Sequence, residues 1–397
     1  MYEARVGLDK IEINNVQAIA LTDWTKLNRH MNAEDNHKKI EFYPPTSHST
    51  YRMQDGNSFG KLVIREEGPN AKFKELRFGF SYMPYGFIIF SPLNILGDNF
   101  FNLSVGEVQS YLCYLEQYIN EEYGLVVSFE IARYKSIEIN TTIQLSENYK
   151  EYFRQNRIIV LNMPYYKKYG EHGEREKGDD HFRASVDMAY TGGKELEFVI
   201  YKKEMPTDQV NSYMRIEIRI RSAKKLKDLL GTLDVHSVSQ NDIVKVFSDL
   251  HELYFLIAYT KWEKESTKYI RRKVKVYYLD KNKHGGRWSS ALIEDLKRDE
   301  LNDIYPHVID DQQLLNVVQS FLNDRKDPNR NRKRSMESVR KNVAGAFDKQ
   351  GYDKILEIFH KIDQACYRSV SHNTEEFVRQ VVSEYRMRRP LPDAAKK

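Results

Sequence analysis

The chain has 397 residues and a formal net charge of +5, and 30% of its residues are charged. Its 27 tyrosines and 19 phenylalanines supply enough large side chains for a folded core, which excludes an intrinsically disordered protein. The length suits two or three domains. The mild basic excess permits a nucleic-acid partner without requiring one.

The two cysteines, Cys113 and Cys366, lie far apart and form no metal-binding spacing. This usage is typical of a reducing compartment with free thiols. The first residues lack the basic-then-apolar pattern of a signal peptide, and no apolar run reaches the length of a membrane helix. We therefore expect a cytoplasmic protein that makes no membrane contact.

The N-terminal half begins with mixed polar and apolar stretches and becomes rich in strand patterns over residues 60–90. Residues 91–99 read as a loop. A helix follows, because Ser104 and Glu107 have the spacing of a capping box and Gly124 is a suitable stop.

Three later segments have the alternating pattern of β-strands: residues 136–145, 196–201 and 214–221. In the third, the apolar residues Met214, Ile216, Ile218 and Ile220 alternate with the charged residues Arg215, Glu217, Arg219 and Arg221. Neighbouring side chains of a strand point to opposite faces, so the charged residues should share one face of the sheet. Glu138 in the first segment, and Glu197 and Tyr201 in the second, lie opposite apolar faces in the same way.

The pattern becomes mainly helical from about residue 240, interrupted by a strand-like insert over residues 273–279. Residues 326–334 form a basic, turn-rich stretch that predicts a linker or exposed loop, and residues 377–385 predict a further helix. The chain therefore reads as an α+β domain over residues 1–235, followed by a mainly helical, basic domain over residues 236–397.

The basic stretch from Arg330 to Lys341, and Arg271-Arg272-Lys273 before it, offer contacts to DNA phosphates, with Arg332, Lys333 and Arg334 as the main candidates. Tyr277, Tyr278 and Trp288 are candidates for stacking on the bases of single-stranded DNA. A solvated basic face beside a small helical core is the alternative interpretation.

The polar residues of the three strands suggest a chemistry if their faces form one surface. Carboxylates such as Glu138 and Glu217 can hold Mg²⁺ or Mn²⁺, which prefer oxygen ligands and offset charge on a phosphodiester. The hydroxyl of Tyr201 can then attack phosphorus and form a phosphotyrosine. Lys203, on the same strand face, can lower the pKa of Tyr201 or neutralise the phosphate.

Structural interpretations remain open for each of these residues. Tyr201 is one of 27 tyrosines and can simply be a packing residue. Glu138 and Glu217 can belong to solvated faces or salt bridges, and the arginines of the third segment can pair with neighbouring acids. The sequence has no P-loop, no dinucleotide-binding glycine fingerprint, no HExxH and no GxSxG.

Four segments, taken in their order along the chain, resemble the phage and plasmid replication proteins of the gene-II/X type, which initiate rolling-circle replication. The segments are Ser91-Pro92-Leu93-Asn94-Ile95-Leu96-Gly97-Asp98-Asn99-Phe100, Lys135-Ser136-Ile137-Glu138, Phe198-Val199-Ile200-Tyr201-Lys202-Lys203 and Arg215-Ile216-Glu217-Ile218-Arg219. The third is similar to the family's Tyr-x-Lys element, and the fourth to its Arg-hydrophobic-Glu-x-Arg strand. The resemblance covers about residues 75–232.

The resemblance implies an antiparallel-sheet body of the endonuclease and relaxase kind. It implies that Tyr201 is the nicking nucleophile, that Lys203 assists it, and that Glu138 and Glu217 hold Mg²⁺ or Mn²⁺. Independently of the resemblance, three arginines around one carboxylate on a sheet face can bind phosphate, so Arg215, Arg219 and Arg221 are candidates for DNA contacts. The protein would bind duplex origin DNA and single-stranded DNA, stay linked to the 5′ phosphate, and leave a 3′ hydroxyl for a host polymerase working with a host helicase.

Two other functions share parts of this pattern. A conjugative relaxase would use the same chemistry with different partners. A non-catalytic DNA-binding protein of a mobile element would use the basic residues without the tyrosine.

Overall fold

The computed structural model describes residues 3–32, 37–46, 50–79, 85–96, 98, 100–163, 181–188, 194–205, 207–280, 287–302, 307–325 and 328–371. The predicted helix over residues 377–385 lies outside this part of the chain.

Twelve strands are present in the described residues. They are β1 (Val6–Leu21), β2 (Lys38–Tyr43), β3 (Tyr51–Arg52), β4 (Ser58–Phe59), β5 (Lys61–Glu66), β6 (Glu75–Phe78), β7 (Gly86–Phe90), β8 (Leu125–Ser128), β9 (Arg133–Leu145), β10 (His181–Met188), β11 (Lys194–Met205) and β12 (Asp208–Ile220).

Ten of these strands form one sheet in the order β10-β11-β12-β9-β1-β7-β6-β5-β2, with β8 paired to β1. Every pair in it is antiparallel. β3 and β4 form a separate two-stranded hairpin. The mixed α+β class and the antiparallel sheet are therefore confirmed, and β12 lies inside the sheet between β11 and β9.

Eleven α-helices occur in the same residues. They are α1 (Trp24–Asn32), α2 (Pro92–Leu96), α3 (Val105–Tyr123), α4 (Phe153–Asn162), α5 (Ala223–Leu230), α6 (Gln240–His251), α7 (Ile257–Leu279), α8 (Trp288–Asn302), α9 (Asp311–Asn323), α10 (Asn329–Val343) and α11 (Gly351–Ser371). A 3₁₀ turn (Tyr149–Tyr152) precedes α4, and a π-helical turn (Glu252–Leu256) joins α6 to α7.

The predicted helix after Ser104 is α3. Its capping box is complete, because the Ser104 hydroxyl accepts from the Glu107 amide while the Glu107 carboxylate accepts from the Ser104 amide. Gly124 ends the helix at φ 65°, where a side chain is disfavoured. The predicted loop over residues 91–99 contains the short helix α2 instead.

The main hydrophobic core lies between one face of the large sheet and the helices α3, α6 and α11. Met214, Ile216, Ile218 and Ile220 of β12 point into it and are buried. Two of these helices come after residue 235, so hydrophobic packing does not follow the predicted division at that residue. Burial of this alternating face fixes the register of β12, since a slip of one residue would expose it.

A second core is formed by the C-terminal half of α7 with α8, α9 and α10. The predicted strand over residues 273–279 is wrong, because these residues complete α7, with Val274 and Tyr278 buried in this core. The basic stretch predicted as a linker or loop is helical from Asn329 onward, as the start of α10. Both segments are helical because they pack against the second core, which outweighs their local preference for a strand or a turn.

Among the helices that the structure describes, none is long and apolar enough to cross a membrane.

Candidate functional site

The central strands bring the predicted site residues together on the face of the sheet opposite the main core. Across β12, Arg219 lies opposite Glu138 of β9 and Glu197 of β11, while Arg215 lies opposite Tyr201. Residues directly opposite in an antiparallel pair point to the same face, so the three predicted strand faces do form one surface.

A third carboxylate, Asp9, joins this surface from β1. The register of β1 against β9 shifts between Leu8 and Ile11, which places Asp9 in a β-bulge. Bulges often re-aim a side chain toward a functional site. The sequence carried a signal for it, because buried Leu8 and Ile11 are three residues apart where a regular strand spaces them by two.

Asp9, Glu138 and Glu217 form the carboxylate cluster, in which one oxygen from each residue lies within 4.8 Å of the others. Burial, and then the charge of Glu217, raise the pKa of Glu138 to about 7. Burial also raises the pKa of Asp9, although the Arg215 guanidinium acts in the opposite direction. Ionisation of the carboxylate cluster therefore costs free energy, and a bound cation would lower that cost.

Arg215 is fully buried in this site. Its guanidinium donates to Thr142 Oγ1 at 2.9 Å, to Asp9 Oδ2 at 2.9 Å and to the carbonyl of Phe100. This buried position does not favour the predicted contact between Arg215 and DNA, because its guanidinium already donates to these three protein groups. It instead links β12 to the bulge of β1 across β9, the strand that lies between them.

Arg219 and Arg221 take different positions on the same strand face. Arg219 pairs with Glu217 and lies 3.7 Å from oxygens of both Glu138 and Glu197. Arg221 is more exposed and donates to Glu197 Oε2 at 3.1 Å. Both guanidiniums are thus engaged by carboxylates, and Arg221 is the more accessible of the two to a ligand.

Tyr201 and Lys203 complete the site. The Tyr201 hydroxyl donates to Glu217 Oε2 at 3.0 Å, and burial together with that carboxylate raises the pKa of Tyr201. Burial, and then repulsion from Arg215, lower the pKa of Lys203 to about 8, while attraction to Asp9, Glu217 and Asp98 opposes that shift. The site therefore contains a hydroxyl that stays protonated at neutral pH beside an amine that can exchange its proton near neutral pH.

The remaining predicted residues lie elsewhere. Arg332, Lys333 and Arg334 are on α10, which packs on α8 and α9 in the second core. Tyr278 and Trp288 are buried in that core, so base stacking by these two is not supported by their placement. Tyr277 instead lines an open groove of about 510 Å³ with Tyr269 and Arg272.

No protein-family model matches the chain, and no curated protein matches it.

Proposed function

We propose that the chain is a metal-dependent DNA endonuclease and strand transferase that uses Tyr201 as its nucleophile. The hydrogen bond from the Tyr201 hydroxyl to Glu217, a member of the carboxylate cluster, carries this proposal. A nucleophile, a proton acceptor and an ionisable amine thus share one sheet face, as covalent catalysis on a phosphodiester requires.

In the proposed nicking step, Tyr201 Oη forms a bond to phosphorus while the bond from phosphorus to the 3′ oxygen breaks. Glu217 accepts the hydroxyl proton through the existing hydrogen bond. Lys203, in its ammonium form, donates a proton to the departing 3′ oxygen. The products are a 5′-phosphotyrosine and a free 3′ hydroxyl.

Rejoining reverses each of these transfers. The 3′ hydroxyl attacks phosphorus and returns its proton to the neutral amine of Lys203, and the tyrosinate recovers its proton from Glu217. Because the phosphotyrosine conserves the energy of the phosphodiester, resealing needs no ATP.

Asp9, Glu138 and Glu217 are the residues that would hold Mg²⁺ or Mn²⁺. Their oxygens suit these hard cations, and burial, with a smaller contribution from Glu217, raises the pKa of Asp9 and of Glu138. When bound, such a cation would offset negative charge on the scissile phosphate.

The biological role that this chemistry would serve is the initiation of rolling-circle replication of a phage or plasmid. The resemblance of four segments to the gene-II/X replication proteins supports this role. Conjugative transfer would use the same site chemistry, and the genes beside the coding sequence distinguish the two.

The test is a nicking assay on supercoiled DNA that carries the replication origin of the encoding element, with Mg²⁺ or Mn²⁺. We expect open circles with the wild-type chain and none with Tyr201→Phe, which should still bind the DNA. Tyr43→Phe is the matched control, since Tyr43 is half-exposed on the edge strand β2 of the same sheet. Nicking by Tyr201→Phe at the wild-type rate would refute the assignment of the nucleophile.

A further inference from the structure

The positive charge of the chain is concentrated on two helices, α7 and α10, each with a formal charge of +5. In α10, six basic residues and one acidic residue give a formal charge of +5. The formal net charge of the whole chain is also +5, so the other residues sum to zero. A mildly basic composition therefore conceals two strongly basic helices, α7 and α10.

The basic residues of α10 lie on its solvent side. Met336, Val339 and Val343 are buried in the second core and fix which side of the helix faces outward. The α10 cation face consists of the exposed residues Arg330, Lys333, Arg334, Arg340 and Lys341. They recur at intervals of three, four and seven residues, which places them along one side of a helix.

Arg332, which was predicted to contact DNA together with its two neighbours, is not part of this face. It is half-buried and donates to the side chain of Asn329. Within the predicted stretch from Arg330 to Lys341, the helical structure therefore removes Arg332 from the candidates and keeps Arg330, Arg340 and Lys341.

The α10 cation face differs from its surroundings in its ion pairing. On the neighbouring helices, Arg271 pairs with Asp324, Lys273 with Asp295 and Asp299, and Arg298 with Asp295. Within the described residues, no member of the α10 cation face forms an ion pair. Carboxylates thus engage these three cations of α7 and α8, whereas all five cations of the α10 cation face are available to a ligand.

The placement along the helix also argues against a purely structural role. The first turn of α10 contains Arg330 and no acidic residue, at the end where the helix dipole disfavours cations. Arg330 and Arg334 are four residues apart, a spacing at which like charges repel. Arg340 and Lys341 lie in the last turn, where the helix dipole favours cations. The cations at the start of α10 are unfavourable for the helix alone, and a polyanionic ligand would offset both effects.

We propose that the α10 cation face binds the phosphate backbone of duplex DNA. The choice of DNA as the polyanion rests on the proposed function. From Arg330 to Lys341 the face is roughly 16 Å long, and duplex DNA presents one negative charge for about every 1.7 Å of its axis. Contacts of this kind hold DNA without reading its sequence, so this face would anchor the duplex while the sheet site acts on one strand.

The test measures the affinity for a fluorescently labelled duplex of arbitrary sequence by anisotropy, between 50 and 300 mM salt. The variant is Lys333→Gln/Arg334→Gln/Arg340→Gln. The matched control is Lys227→Gln/Lys245→Gln/Lys264→Gln, which removes the same charge from exposed positions of α5, α6 and α7. Circular dichroism and thermal unfolding verify that both variants are folded.

We expect the α10 variant to bind at least about tenfold more weakly than the control, with a slope of log K against log salt that is less steep by about 2.7. Equal affinity and equal slope in the two variants would overturn the inference. Failure of the proposed function would instead appear as wild-type protein that binds the duplex with the full salt slope but nicks no DNA.

Discussion

The hydroxyl of Tyr201 donates a 3.0 Å hydrogen bond to Oε2 of Glu217 on the neighbouring strand. The two residues are not direct register partners, because Tyr201 lies opposite Arg215 and Glu217 lies opposite Val199. The bond therefore runs diagonally across the two strands. Since burial and Glu217 raise the pKa of Tyr201, its hydroxyl keeps its proton at neutral pH and must release it within the reaction step.

Removal of Asp9 should weaken metal binding. Asp9→Asn removes one of three carboxylate charges from the carboxylate cluster, and we expect a loss of about tenfold or more in Mn²⁺ affinity by isothermal titration calorimetry. Glu12→Gln is the matched control, since Glu12 also lies on β1 but is paired with Lys10 and Lys135. Equal Mn²⁺ affinity in the two variants would exclude Asp9 as a ligand.

The nicking rate should have a bell-shaped pH profile. Metal binding needs ionised Glu138, whose pKa is raised to about 7, and the departing oxygen needs protonated Lys203, whose pKa is lowered to about 8. The rate constant at saturating DNA should therefore rise toward pH 7 and fall above pH 8.

Lys203→Arg separates charge from proton donation. Arginine keeps its positive charge at every accessible pH and does not donate a proton near neutrality. We expect this variant to bind the DNA as the wild type does, to nick much more slowly, and to lose the alkaline limb of the profile. A wild-type nicking rate in Lys203→Arg would show that Lys203 supplies charge alone.

The raised pKa of Glu138 predicts a pH-dependent stability in the absence of metal. The folded state holds the Glu138 proton more tightly than the unfolded state, so this stabilisation is present below pH 4.5 and is lost as the pH rises through about 7. Glu138→Gln cannot ionise. Its stability relative to wild type should increase by about 1–3 kcal/mol between pH 4.5 and pH 8, measured by denaturant unfolding in EDTA.

Glu12→Gln should behave in the opposite way in the same experiment. Burial alone would raise the pKa of Glu12, but Lys135 and Lys10 lower it overall. The ionised form is then stabilised in the folded state, and this contribution is lost as the pH falls. Relative to wild type, Glu12→Gln should therefore lose stability as the pH rises, and a shift of the same sign in both variants would contradict the electrostatics described above.

Arg215 should be essential for stability. Arg215→Met leaves Asp9 without its 2.9 Å ion pair in a buried site, and the expected cost is about 3–5 kcal/mol of unfolding free energy. Lys245→Met removes a cation from an exposed pair with Asp249 and should cost less than about 1 kcal/mol. A loss below 1 kcal/mol in Arg215→Met would show that Arg215 does not hold β1 against β12.

Much of the sheet site was predictable, because strand alternation fixes which side chains share a face. The pattern of β12 placed Arg215, Glu217 and Arg219 together, and the neighbouring strands added Glu138 and Tyr201. Alternation alone does not give burial, however. Arg215 has the same pattern as Arg221, yet Arg215 is fully buried while Arg221 is exposed, because only the former meets Asp9 and the Phe100 carbonyl.

Asp9 and α10 escaped the sequence analysis for different reasons. Asp9 depends on a bulge, which changes the strand period at one point and disturbs a search for regular alternation. The start of α10 is rich in Asn and Arg and follows Pro328, so turn propensity outweighed the helical spacing of Met336, Val339 and Val343. Its helical state depends on contacts with α8 and α9, which no local window contains.

The central claim concerns the covalent bond between Tyr201 and DNA. Wild-type protein is incubated with Mn²⁺ and origin DNA, denatured, digested with nuclease and protease, and analysed by mass spectrometry. We predict a peptide that carries a nucleotide 5′-phosphate on Tyr201 and is lost in Tyr201→Phe. A phosphorylated peptide that contains a different tyrosine, or nicked DNA without any protein adduct, would contradict the claim.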